Sequence, residues 1–479
     1  MGMVRSPRLG GSLAGRYLAG EIFLVQRASW RGDCIVAAPD AVQRTRTMPR
    51  QMHLMAYLKT GPTASHNGAW RHPQADLHDI FSPARYAHIA RVLEAARFDG
   101  CFYADTQGIP DIYQGSFRTY LRDGGQISYL DPLTILPIMA AATQHLGLGA
   151  TLSTTFHHPY HLARTLASLD LLSGGRACWN IVTSSTDFEA RNFGLPELPD
   201  KDLRYEYGEE VVEACCALWG CWDADALVMD KASGLFIDPD RVRYADYEGK
   251  HVRTRGPLSI PPSPQGRPVL MQAGSSGRGR AFAARWAEAI FCTPGDKAAA
   301  VELYADLKSR MVACGRKPED CVVLPWMTVV LGETEAIARE RLDALDQLSS
   351  AELDVAFNSA MIGADLSVVN DPGDIAAAKK AQGHQGLEDR MRHLMKTEGL
   401  TFEQAKRRGK KPLTGTPEMV ADWMQDWFES GACDGFVLSP TIFPGMFEDF
   451  GRLVVPELQR RGLFRTEYAG RTLRENLAM

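Results

Sequence analysis

The stretch Gln272-Ala-Gly-Ser-Ser276-Gly-Arg278-Gly-Arg280 closes a strand-like run and opens a helical pattern. Such a turn presents unpaired backbone N–H groups, serine hydroxyls and the positive end of a helix dipole, a combination suited to a phosphate. Arg278 or Arg280 could add charge there; the alternative is that these glycines only make a tight turn. Three further polar stretches follow strand-like runs: Asp105, then Thr151-Leu-Ser-Thr-Thr-Phe-His157-His158-Pro-Tyr160-His161, then Asn180-Ile-Val-Thr183-Ser184-Ser185. His157 and His161 have the spacing of two ligands on one helix face, but Pro159 breaks that geometry and no carboxylate lies nearby in sequence, so no metal is expected. No glycine-rich dinucleotide fingerprint follows a strand, and neither a P-loop nor a G-x-S-x-G elbow occurs. A Rossmann site, a nucleotide-triphosphate loop and an α/β-type serine hydrolase are therefore not indicated.

The elements that must position these residues alternate between short β-type runs and helical patterns from Met52 onward, which is the pattern of a parallel sheet built from βα units. The expected strands are Met52–Leu58, Gly100–Ala104, Leu148–Ser153, Ala177–Val182, Val269–Gln272, Ala289–Cys292, Val322–Val330 and Gly435–Leu438. Eight runs predict an α/β fold of the TIM (β/α)8 barrel type rather than an open doubly wound sheet. Tyr86, Ile89, Ala90 and Leu93 give one helix an apolar stripe, and Leu162, Leu166, Leu169 and Leu172 give another. Thr416-Pro417-Glu418 is a helix start, whose helix carries Met419, Trp423 and Trp427 toward the last strand.

Three connections are too long for plain βα loops: Asp105 to Tyr129, Ser185 to Pro268, and Leu345 to Pro412. In a barrel, long connections at the C-terminal ends of strands build the active site or its lid, so these are read as insertions at that face.

With 479 residues and 45% hydrophobic composition the chain can bury a large core. A net charge of −5, spread along the sequence, makes no electrostatic case for nucleic acid or an anionic membrane. The basic cluster Lys406 to Lys411 reads as a solvated surface. The ten cysteines show no C-x-x-C pair or regular spacing and read as reduced, mostly core cysteines of a cytoplasmic protein. No apolar run is long enough to cross a bilayer. Residues 1–47 are Arg-rich and poor in acids. They are read as a disordered extension ahead of translation from Met48, with a targeting peptide as the alternative, and residues 48–479 as one domain.

Several motifs occur in the same order as in a known family. They are Gly68-Ala-Trp70-Arg71-His72-Pro, His145-Leu-Gly-Leu-Gly-Ala-Thr151, Leu171-Leu-Ser-Gly-Gly-Arg176, Trp179-Asn180-Ile-Val-Thr183-Ser184, Glu189-Ala-Arg-Asn192-Phe-Gly and Gln272-Ala-Gly-Ser-Ser276. Together these resemble the nitrilotriacetate and dibenzothiophene-sulfone monooxygenases of the bacterial-luciferase type, from about Met48 through Phe464-Arg-Thr-Glu-Tyr to the C-terminus. The resemblance implies a two-component enzyme that takes reduced FMN from a separate NAD(P)H:flavin reductase and uses O2 to oxidise a small sulfur-, nitrogen- or halogen-containing substrate. It also implies a homo-oligomer. By motif position, Asp105, Thr151, Tyr205 and Ser276 match residues that hold FMN in these proteins. Lys201 stands where relatives often carry histidine, and Asn180 ends a strand facing the same region. His66 approximates a histidine that relatives place near the flavin, whereas Ala360, in Asn358-Ser-Ala360-Met-Ile-Gly363, stands where several relatives carry another histidine. Two other readings stay open: a deazaflavin-dependent oxidoreductase that transfers hydride without oxygen, and a non-catalytic flavin-binding protein on the same barrel.

Overall fold

The computed structural model describes residues 50–63, 65–274, 277–379, 385–409 and 411–478. The expected extension at residues 1–47 and Ser276 lie outside the described residues.

Eight parallel strands close into a barrel: β1 (His53–Leu58), β2 (Gly100–Tyr103), β3 (Gly147–Ser153), β4 (Ala177–Val182), β5 (Val269–Ala273), β6 (Ala289–Cys292), β7 (Val322–Met327) and β8 (Gly435–Leu438). Each pairs with its neighbours in sequence, and β8 returns to β1 with Gly435 opposite His53. A side chain at Gly435 would place its Cβ 1.9 Å from the His53 carbonyl oxygen, so only glycine lets the barrel close there.

The outer helices are α1 (Pro83–Ala95), α2 (Pro132–Ala142), α3 (Pro159–Leu172), α4 (Lys201–Trp219), α5 (Gly277–Trp286), α6 (Lys297–Ala313), α7 (Pro417–Glu429) and α8 (Gly445–Leu453). Four of them start alike. Ser82, Asp131, His158 and Thr416 each accept a backbone N–H of the first turn while a proline occupies its first position, where no N–H is needed.

Alternation along the strands divides the core into two. Met55, Phe102, Cys178, Met271, Leu324 and Val437 fill the lumen, and their neighbours, such as Leu54, Cys101, Leu148 and Trp179, pack against the helices. Leu473 and Leu477 of the C-terminal helix Leu473–Leu477 join the lumen cluster. The Leu473 N–H donates to the Gly175 carbonyl in the turn before β4, so this helix plugs the N-terminal end of the barrel.

Several expectations need correction. The run Val322–Val330 is not one strand: it leaves the barrel at Met327, and Val329–Leu331 pairs instead with Leu413–Gly415. The physical reason is the end of its partner, since Met327 already faces Leu438, the last residue of β8. The connection Ser185 to Pro268 is only partly at the C-terminal face. After α4 it forms the hairpins Leu227–Asp230 with Leu235–Ile237 and Tyr247–Glu248 with Arg253–Thr254, and then Gln265 donates to the carbonyl of Ala177, the first residue of β4. A helix that follows a strand carries the chain back to the opposite end, which is why this half lies at the N-terminal face.

Leu162, Leu166 and Leu169 are buried, but Leu172 is 73% exposed at the last turn of α3. On α7 the buried stripe is Val420, Ala421, Met424, Trp427 and Phe428, leaving Met419 exposed and Trp423 half-buried against Phe436. Lys406 is not a solvated surface residue. It is buried, with Nζ donating to the Leu366 and Val369 carbonyls at 3.0 and 2.8 Å and paired with Glu403. Among the nine described cysteines, seven are buried, Cys216 is half-buried and Cys314 is exposed. No helix among the described residues is long and apolar enough to cross a membrane.

Candidate active site

Thr151 and Asn180 are direct cross-strand partners on β3 and β4, both buried on the lumen side near the C-terminal mouth. Asn180 Nδ2 donates to Thr151 Oγ1 at 2.8 Å. Two capacities are left over. Asn180 Oδ1 is buried with no partner among the described residues, and a threonine hydroxyl that accepts one bond still has its hydrogen to donate. An orphaned buried acceptor costs about 1–3 kcal/mol, so this acceptor beside a spare donor is suited to a polar ligand edge.

Asp105 lies two residues beyond β2, the strand that pairs with β3 through Tyr103 and Ala150. Burial pushes its pKa up; a hydrogen bond from Ser128 and the Lys59 ammonium oppose that rise, and Asp131 adds to it. Glu189, 7% exposed in the helix Asp187–Asn192 after β4, is raised in the same way, chiefly by burial, with Lys59 again opposing. Lys59 follows β1 directly and is buried. One ammonium and two carboxyls, from the ends of three strands, therefore act on one another at the mouth.

Tyr205 is buried on the second turn of α4, its ring edge-on to Phe282 of α5 at 5.8 Å between centroids. The adjacent Arg204 donates to the Ser184 carbonyl at 3.2 Å, which fixes this turn against the end of β4. Lys201 is the exposed first residue of α4. The turn between β5 and α5 contains Ser276, which is not described; Arg280 on α5 pairs with Asp306 of α6 at 3.1 Å, while Arg278 is exposed.

The long excursion after β7 covers another side of the mouth. Its helices Glu335–Asp346 and Ala351–Ile362 meet the loops after β1 and β2: Asn67 donates to Asp354 at 2.8 Å, Thr119 to Glu352 at 2.9 Å, and the Gln114 N–H to Asp365 at 2.9 Å. His66 belongs to this seam. Its Nδ1 accepts the Gly68 N–H at 3.2 Å and its Nε2 lies 2.9 Å from Asp346 Oδ1, so the proton sits on Nε2 and faces the carboxylate. Ala360 is buried within Ala351–Ile362.

The structure thus brings Thr151 together with Asn180, places Asp105 beyond the end of the strand next to β3, and holds Tyr205 against the neighbouring helix. It places His66 in a different contact. Lys59 and Glu189 escaped the sequence reading, although a lysine ending a strand and an acid inside the Glu189-Ala-Arg-Asn192 motif were both visible.

Comparison with known proteins adds four findings. The family model described as luciferase-like monooxygenase matches residues 62–434. The chain is 42% identical over 444 residues to dibenzothiophene-sulfone monooxygenase of Rhodococcus erythropolis (strain XP), covering 90% of this chain and 98% of that one. It is 36% identical over 425 residues to nitrilotriacetate monooxygenase component A of Aminobacter aminovorans, covering 86% and 94%. Among solved structures, a riboflavin lyase with modified FMN and riboflavin superposes with a TM-score of 0.82 at 33% identity, covering 90% of this chain and 96% of that one.

Proposed function

The chain belongs to the luciferase-like monooxygenase family, and on that premise we propose a two-component reaction with reduced FMN as the cofactor. A separate NAD(P)H:flavin reductase supplies the reduced flavin, O2 is the oxidant, and the substrate is a small organic molecule containing sulfur, nitrogen or halogen. The relatives' names support the substrate class, one acting on a sulfone and one on an amine polycarboxylate, and the name "component A" supports a partner protein.

The observation that carries the cofactor reading is the pair Thr151 and Asn180. The pyrimidine end of a flavin ring offers an N–H flanked by carbonyl oxygens, and this pair offers a buried acceptor without a partner among the described residues beside a spare hydroxyl donor. Tyr205, Ser276 and Lys201 are proposed to hold the phosphate, at the starts of α4 and α5, where helix N-termini favour an anion. Asp105 is proposed to face the ring or the ribityl chain.

When bound, reduced FMN supplies the electrons that activate dioxygen. The chain's own residues have three tasks. The excursion after β7 and the loops it grips exclude water from the mouth. Thr151 and Asn180 orient the ring. The Asp105 carboxyl, raised by burial, is able to hold a proton near the reacting centre. His66 is proposed as a further catalytic group, acting through its Nε2 proton.

Oxygen uptake with reduced FMN, a generic flavin reductase and candidate substrates, scored by product mass, tests this reading. Product that carries one added oxygen atom is expected. Hydride transfer from a deazaflavin without oxygen uptake, or flavin binding without turnover of any sulfur or nitrogen substrate, would overturn it in favour of the other two readings.

A further inference from the structure

The motif Glu189-Ala-Arg-Asn192 has no task in the reaction as described so far, yet the helix that carries it, Asp187–Asn192, grips the turn after β2 at several points. Glu189 Oε1 accepts the Gln107 N–H at 3.2 Å, and Oε2 accepts the Thr186 hydroxyl. Asn192 Nδ2 donates to the Gln107 carbonyl at 2.8 Å. Both backbone polar groups of Gln107, two residues from Asp105, are therefore tied to one short helix. Next in the chain, a Cβ on Gly108 would stand 2.8 Å from the Phe188 ring and 2.9 Å from Asn192 Nδ2, so the turn is pressed onto this helix as closely as a glycine allows. Arg191 and Asp111 extend the contact at 3.5 Å.

Strand pairing cannot supply this link. β3 lies between β2 and β4 in the barrel, so the loops after β2 and β4 share no ladder, and the clamp passes over the end of the strand that holds Thr151. Burying a carboxylate is costly, and a carboxyl that merely filled space would be replaced by an apolar group at no loss. Glu189 is kept at 7% exposure with both its oxygens used, within electrostatic reach of Asp105 and Lys59.

We infer that Glu189 and Asn192 are positioning residues that set the turn carrying Asp105 for flavin binding, an inference that rests on the flavin reading above. They act through the Gln107 backbone rather than by touching the cofactor.

The test is the dissociation constant for FMN, oxidised and anaerobically reduced, beside the melting temperature, in Glu189→Ala, Glu189→Gln and Asn192→Ala. Glutamine can still accept the Gln107 N–H through its amide oxygen and meet the Thr186 oxygen through its amide nitrogen. The expected result is a loss of about fivefold or more in FMN affinity for both alanine variants, with E189Q within about twofold of the parent and the melting temperature of N192A unchanged. Asn192 is exposed, so N192A decides the matter if E189A does not fold. Unchanged affinity in the alanine variants that fold would overturn the inference, as would E189Q impaired like E189A, which would assign the effect to charge. Failure of the parent to bind FMN would overturn the flavin reading instead and is seen separately.

Discussion

Asn180 spends its amide N–H on Thr151 and leaves its oxygen without a partner among the described residues, the feature on which its proposed role toward the flavin rests. The phosphate end is tested by Ser276→Ala and Tyr205→Phe. Each is expected to weaken reduced-FMN binding by about 1–3 kcal/mol in anaerobic titration, with little change in melting. Unchanged affinity in both would remove the phosphate assignment. His66 is bound to Asp346 on one side and to the Gly68 N–H on the other, and a ring so held can be a tether or a proton donor. If it serves the reaction, His66→Ala lowers product formation at least tenfold, about 1.4 kcal/mol of barrier, with FMN binding preserved. Normal turnover in that variant would leave His66 as a tether of the loop to the excursion after β7.

At the scale of elements, charged side chains fasten segments that no ladder joins. Lys406 holds the excursion together by donating to two of its carbonyls. At the other end of the barrel, Glu288, just before β6, accepts from Arg267 at 2.8 Å and from Arg474 Nε on the C-terminal plug at 2.6 Å. Burial alone would raise the Glu288 carboxyl, but the two guanidinium groups outweigh it and hold the pKa at about 2 against an ordinary 4.5. A depressed carboxyl stabilises the folded state fully above its ordinary value and loses that contribution as the pH falls toward the folded one; here it amounts to about 3 kcal/mol. Arg474→Gln is therefore expected to melt below the parent at neutral pH, with the gap narrowing as the solution is acidified below the ordinary carboxylate range. A gap that does not change with pH would assign the contribution of Arg474 to its hydrogen bonds with the Gln265, Arg267 and Pro268 carbonyls rather than to its ion pair with Glu288.

For the whole molecule, the proposed two-component reaction divides the labour between two proteins. The purified chain is expected not to consume NADH at a useful rate and to turn over once a flavin reductase is added, because free reduced FMN can diffuse between the two proteins. Rapid NADH oxidation by the chain alone, followed at the nicotinamide absorbance, would contradict this. Among the described residues, the eight barrel strands and their helices lie within residues 50–478. A chain beginning at Met48 is accordingly predicted to fold and bind FMN as the full chain does, and insolubility or lost binding on that truncation would show that residues 1–47 are needed.

Much of this was legible in the residues themselves. Strand and helix patterns are local, so the eight βα units stand out, and the ends of Ala177–Val182, Ala289–Cys292 and Gly435–Leu438 agree with the structure to the residue. Capping side chains before Pro83, Pro132, Pro159 and Pro417 mark helix starts for the same local reason. Strand ends also carry Asp105, Thr151 and Asn180 to one face once a barrel is accepted. What lay beyond the sequence depends on closure between distant segments. Register alone sets Asn180 against Thr151, the end of β8 decides where β7 stops, and the packing of three loops puts Lys59, Asp105 and Glu189 within reach of one another. Lys406 reads as a surface charge because its partners, the carbonyls of Leu366 and Val369, are 40 and 37 residues away. Whether a charge is solvated is settled by which backbone groups fold over it, and only the tertiary structure decides that.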